Sequence, residues 1–228
     1  MTAVEVCCAD DRPGWAVPTH AATHRIYITR SGSYLSRVNG ETTFIDATTA
    51  LVTRPGDEIS VAHPLGSGDA GTIVDISALV AAQMGADGVE LASGELRLDD
   101  ELDLHHRGLL AASRRGLDPF EAAERLLNLL RAAAARDTPR VQERWRAETV
   151  LAHRRLVDRA REALIEGRLV VGLEELADLV GCSSHHLSRI FRLVTGESLT
   201  AHRNRLRVRA VLSDLQDGSP CLRLLAAE

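Results

Sequence analysis

The spacing of apolar positions changes along the chain. Residues 24–30 (HRIYITR), 42–45, 51–54, 59–62 and 72–76 are short runs rich in β-branched and aromatic residues, and each predicts a strand. Val38-Asn39-Gly40-Glu41 carries a hairpin signal, Pro55-Gly56-Asp57 a turn, and 63–71, with three glycines, a loop. Short strands at this spacing predict a small β-barrel or sandwich.

From Leu98 onward the period becomes that of a helix. One helix is expected over 99–115, ending at Gly116. A second is expected over 118–135, with Asp118 as N-cap and Pro119 in its first turn. The second helix places Phe120, Ala123, Leu126, Leu127 and Leu130 on one face. That face can cover the β core or pair with a second copy of the chain, and the pattern leaves both open. Asp137-Thr138-Pro139 breaks the period and sets two expected domains, 1–138 and 139–228. A long Arg/Glu-laced helix follows over 141–167, with an interruption allowed near Thr149.

The segment 173–194, LEELADLVGCSSHHLSRIFRLV, is the most informative. Leu173, Leu176, Ala177 and Val180 recur at i, i+3, i+4 and i+7 and predict the inner face of a short helix. Glu174 and Glu175 suit the positive end of its dipole. Gly181 can turn the chain with φ above zero, and Ser183 is a natural N-cap for the next helix. There Leu187, Ile190, Phe191 and Val194 form one face, and His185, Ser188, Arg189 and Arg192 form another, shifted by about 200°. An ordinary αα-hairpin, common in helical proteins, is the alternative. The second face, made only of hydrogen-bonding side chains, suits a recognition helix in the major groove.

Charge supports that reading. The net charge is −5, yet residues 1–139 hold 12 arginines against 20 acids and residues 140–228 hold 15 against 12. Every basic residue is Arg. Arg189, Arg192, Arg203, Arg205, Arg207 and Arg209 crowd the stretch 185–209, with Glu197 its one acid. Such a run can be a solvated helix face, but beside this motif it reads as a footprint for phosphates. No apolar stretch approaches the roughly 18 residues of a membrane span, and residues 1–11 lack the features of a secretory signal, so a cytoplasmic protein is expected. Cys7 and Cys8 are adjacent, while Cys182 and Cys221 stand alone in expected helices. None has zinc-ligand spacing, so no metal and no cofactor are expected.

The pattern L-x-x-L-A-x-x-V-G-x-S-x-x-x-L-S-R-x-F-R-x-x-T-G-x-S-L over 173–199 resembles the first helix-turn-helix of the AraC/XylS transcription regulators. The expected helix over 199–216 stands where that family has its linker helix. The resemblance covers about 80 residues, and it implies a DNA-binding set of Ser184, His185, Ser188, Arg189 and Arg192. His185, Ser188 and Arg189 would contact bases, and Arg192 a phosphate. Leu222-x-x-Leu225-Ala226 repeats Leu173-x-x-Leu176-Ala177 at an offset of 49 residues, preceded by Ser219-Pro220. In the family a second helix-turn-helix begins there, so the natural chain is expected to run on beyond Glu228.

The N-terminal half resembles the cupin-like effector domain of many AraC regulators, in its strands, its Gly40 hairpin and Arg54-Pro55-Gly56-Asp57. The fold class expected is α+β: a cupin-like barrel or sandwich with flanking helices, then an all-α helix-turn-helix domain. The cupin metal signature is not matched, because His20, His24 and His63 lack a carboxylate partner in the right place. His24 and His63 are candidate effector-binding residues, with a plain structural role as the alternative. His105-His106 reads as exposed or interface polar surface.

The function expected is a DNA-binding transcription regulator, not an enzyme. Its expected partners are double-stranded promoter DNA, a small-molecule effector and a second copy through helices 99–115 and 118–135, with RNA polymerase a further candidate and no membrane partner. A cupin-type metalloenzyme with a helical docking tail is the rival, and it predicts bound metal and dependence on His24 or His63. An interaction protein that titrates a partner through 120–130 is a third reading.

Overall fold

The computed structural model describes residues 1–9, 12–66, 68–136, 146–167 and 169–216. They fall into two compact units, one of residues 1–136 with 215–216 and the other spanning 146–214. No helix among the described residues is long and apolar enough to cross a membrane.

The first unit contains two antiparallel sheets. Its strands are β1 (Thr2–Cys8), β2 (Thr19–His20), β3 (His24–Ser31), β4 (Ser33–Val38), β5 (Glu41–Asp46), β6 (Thr49–Thr53), β7 (Glu58–Ala62), β8 (Asp69–Ile76) and β9 (Gly94–Arg97). One sheet runs β1-β8-β3-β6-β9 and the other β2-β7-β4-β5. Period-2 alternation gives the larger sheet two different faces. Ile26, Ile28, Ala50, Val52, Val74 and Ile76 belong to the main core, while Tyr27 and Leu51 belong to a second cluster with Tyr34, Val38 and Ile45 of the smaller sheet. The five runs expected as strands became β3, β5, β6, β7 and β8. Four further strands have no such run: β1 is an edge strand with a mostly exposed side-chain pattern, β2 and β9 have two and four residues, and β4 is the strand that leads into the expected hairpin.

The β4–β5 hairpin turns at Asn39 (φ 49°) and Gly40, with Val38 opposite Glu41. Asn39 holds the turn to the next loop: its Nδ2 donates to Asp57 Oδ1 at 2.8 Å and its Oδ1 accepts from the Glu58 amide at 3.0 Å. Asn39→Ala should lower stability by about 1 kcal/mol, because it removes both bonds and puts a less tolerant residue at positive φ. A urea melt should show a lower midpoint with unchanged slope.

Three helices complete this unit: α1 (Ala78–Ala86), α2 (Asp100–Ser113) and α3 (Pro119–Arg136). Asp99 caps α2 by accepting from the Leu102 amide at 2.8 Å. Asp118 accepts from the Phe120 and Glu121 amides at the start of α3. Met84, Leu102, Leu109, Leu126, Leu129, Leu130 and Ala133 pack into the core beside the larger sheet. The predicted stripe on α3 therefore divides. Leu126 and Leu130 are buried and Leu127 is half-buried, but Ala123 is exposed and Phe120 is 79% exposed. The core row is Leu126, Leu129, Leu130 and Ala133, which begins later in the helix and is rotated from the expected one.

His106 corrects the expectation of polar surface on α2. It is fully buried, and its Nε2 lies 2.8 Å from Thr72 Oγ1 on β8; only His105 is exposed. Helical period explains the difference, since His106 shares a face with Leu102, Leu109 and Leu110 whereas His105 does not.

The second unit is all helical: α4 (Ala147–Glu166), α5 (Leu173–Leu179), α6 (Ser184–Thr195) and α7 (Leu199–Gln216), the last as far as Asp214. Its core joins Leu156, Val157, Ala160 and Leu164 of α4 to Leu176 and Ala177 of α5 and to Leu187, Ile190 and Phe191 of α6. Leu173, expected on the inner face, is half-exposed at the first position of α5. The expected domain break and the first residues of the expected 141–167 helix lie outside the described residues. So does the repeat at Leu222.

Candidate functional site

Local sequence builds the helix-turn-helix. The α5 helix is too short to be stable alone, and it is held by burial of Leu176 and Ala177. Ala177 carries only a methyl group, which allows the neighbouring helices a close approach. Gly181 adopts φ 73°, a left-handed value that side chains with a Cβ resist, and it turns the chain after α5. The Cys182 amide bonds the Ala177 carbonyl at 3.0 Å, so Cys182 lies in the turn and not in a helix as expected. Ser183 then caps α6, its Oγ accepting from the His186 amide at 3.2 Å. Ser183→Ala should cost about 1 kcal/mol and Ser183→Gly only a few tenths, as read from urea midpoints.

The two faces of α6 separate cleanly. Leu187, Ile190 and Phe191 have no solvent exposure. On the other side His185, Arg189 and Arg192 are exposed and Ser188 is half-buried, while Ser184, also half-buried, opens the helix one turn before Leu187 and Ser188. All five predicted residues thus share one continuous helix, and neither Arg189 nor Arg192 has an acidic partner among the described residues. On α4, burial, reinforced by His186 and Arg189, holds His153 below the usual histidine value. That local field is positive.

The rest of the arginine run is spent inside the unit. Arg203 donates to the Val171 carbonyl at 3.2 Å, Arg207 to the Leu169 carbonyl, and Arg205 pairs with Glu197. Arg209 is 1% exposed. Three of the six arginines expected as a phosphate footprint, Arg203, Arg205 and Arg209, are therefore half-buried or buried, and Arg207 stays exposed like the pair on α6. Glu197 also holds His202 Nδ1 at 3.1 Å, and His202 meets Phe191 edge-on at 5.2 Å. Each of these partners is distant from its arginine along the helix or lies on another segment, so composition alone did not reveal them.

In the first unit a cavity of about 560 Å³ opens beside Tyr27, Tyr34, Leu51, Val61, His63 and Asp69. His63 is buried, with Nε2 2.8 Å from Asp69 Oδ1. The Tyr27 hydroxyl donates to Asp69 Oδ2. Burial, with the Asp69 carboxylate nearby, raises both tyrosine hydroxyls above their ordinary value. His20, an exposed residue of β2, also borders this cavity, whereas His24 lines a separate one of about 150 Å³. The three histidines weighed as metal ligands are thus not gathered into one site. Asp69 and Cys8, passed over in the sequence, are neighbours of His63 instead.

No family model and no curated protein matches this chain. Among solved structures, apo ToxT from Vibrio cholerae aligns with a TM-score of 0.43 at 8% identity, covering 90% of this chain and 98% of that one. The AraC-like transcriptional activator CuxR aligns at 0.36 and 13% identity, covering 86% of this chain and 70% of that one. A Cupin 2 conserved barrel domain protein from Salinispora arenicola aligns at 0.30 and 14%, covering 37% and 70%. The chain is a mixed α+β protein, an antiparallel β unit followed by an all-α unit, similar at low identity to solved AraC-like and cupin structures.

Proposed function

We propose that the protein is a sequence-specific transcription regulator of the AraC/XylS type, acting in the cytoplasm and binding DNA rather than catalysing a reaction. The observation that carries this reading is the two-faced α6 helix. Leu187, Ile190 and Phe191 on its apolar side are completely buried, and His185, Ser188, Arg189 and Arg192 lie on the other, with Ser184 at the start of the helix. In this reading α6 enters the major groove of promoter DNA. His185, Ser188 and Arg189 meet base edges there, Arg192 meets a phosphate, and Ser184 completes the DNA-binding set. The cavity beside His63 is the natural place for a small-molecule effector, with His24 outside its lining. A homodimer through α2 and α3 would cover the exposed Leu104 and Phe120, and RNA polymerase is a further candidate partner.

A fluorescence-anisotropy titration of the full chain on a duplex from its own upstream DNA tests the proposal. The upstream duplex should bind more tightly than a scrambled one, with log affinity falling linearly with log salt. Equal affinity for the two duplexes, or none for either, would overturn it.

A further inference from the structure

We propose that Cys8, His63 and Asp69 form a binding site for a divalent transition metal of the zinc class, inside the β unit. This inference goes beyond the DNA-binding reading and does not rest on it.

A thiol sulfur, an imidazole nitrogen and a carboxylate oxygen from these residues all lie within 4.8 Å of one another. It is the one such group among the described residues. The fold makes this proximity. Cys8 of β1 stands directly opposite Asp69 of β8 in the antiparallel ladder, which puts their side chains on one face of the sheet. His63 reaches the same point from the end of β7, its amide bonded to the Arg12 carbonyl at 3.1 Å. Gly68 lets β1 approach, since a Cβ there would lie 1.9 Å from the Cys8 carbonyl oxygen.

The surroundings suit a metal. His63 and Asp69 are buried and Cys8 is half-buried, so the cluster is not an exposed acidic patch. Asp69 takes a hydrogen bond from Tyr27 on its other oxygen, the kind of outer contact that orients a ligating carboxylate. Sulfur, nitrogen and oxygen donors together favour zinc-like ions over magnesium or calcium. Binding would release the thiol proton and place the ion between His63 and Asp69, now joined by a hydrogen bond. Three protein ligands leave a fourth position open, as in zinc sites that take an exogenous ligand. The same cavity holds the Tyr34 hydroxyl, buried and meeting no hydrogen-bond partner of normal geometry among the described residues.

Cobalt(II) titration of the reduced full chain is the test, read as thiolate-to-cobalt charge-transfer absorption. One equivalent should saturate the band, and zinc(II) should displace it. Cys8→Ser should abolish the band, and Asp69→Asn and His63→Gln should each weaken affinity at least about tenfold. The triple variant Cys7→Ser, Cys182→Ser, Cys221→Ser leaves the three proposed ligands untouched and should keep the band at full intensity. Absence of the band in the wild-type chain, its survival in Cys8→Ser, or its loss in the triple variant would each overturn the proposal.

Discussion

Phe191→Ala is expected to destabilise the helical unit by about 3–5 kcal/mol, the largest effect of any single change considered. The ring is fully buried among Leu187, Ile190 and Leu176 and meets His202 edge-on at 5.2 Å. Truncation removes that contact and leaves a ring-sized void at the centre of a small core. Total stabilities of about 5–15 kcal/mol make this a large share. Far-UV circular dichroism of the full chain in urea should show helical signal lost at lower denaturant. Phe191→Leu should cost less, because it keeps most of the volume. A cost below about 1 kcal/mol for Phe191→Ala would contradict the packing described for α6.

Arg189→Ala is expected to weaken binding to the cognate duplex by about 1–3 kcal/mol and to relax preference at one base pair. Arg189 lies one turn after His185 on the exposed face, and its planar fork can pair with two acceptors on a guanine edge. Arg192→Ala should behave differently: it should weaken all sequences alike and reduce the salt slope by about one unit. Both variants should melt like the wild-type chain, because neither side chain belongs to the buried face. Anisotropy titrations on cognate and mutated duplexes at several salt concentrations separate the two roles. Unchanged sequence preference after Arg189→Ala would remove that residue from the base-reading set.

What the sequence determined by itself was local. The turn at Asn39-Gly40, the cap at Ser183, the stop at Gly181 and the i, i+3, i+4 faces of α6 each depend on residues a few positions apart. Near-neighbour sterics and hydrogen bonding set them before any tertiary contact forms. The five candidate residues of α6 sit on one regular helix for the same reason. Edge strand β1 was not legible, since a strand paired on one side and mostly exposed lacks the alternation that marks a half-buried one.

Tertiary structure decided where charge and chemistry ended up. The arginines of 203–209 looked like a phosphate footprint, yet Arg203 bonds the carbonyl of Val171, Arg205 pairs with Glu197 and Arg209 is buried, which leaves Arg207 as the exposed one. His106 read as surface until the core closed around it beside Thr72. Cys8, His63 and Asp69 show no ligand spacing along the chain. They meet because the β1–β8 register sets Cys8 opposite Asp69 and the end of β7 brings His63 to the same point. Such convergence depends on strand pairing between distant segments, and pairing is fixed by the burial of whole sheets, not by any one segment's own residues.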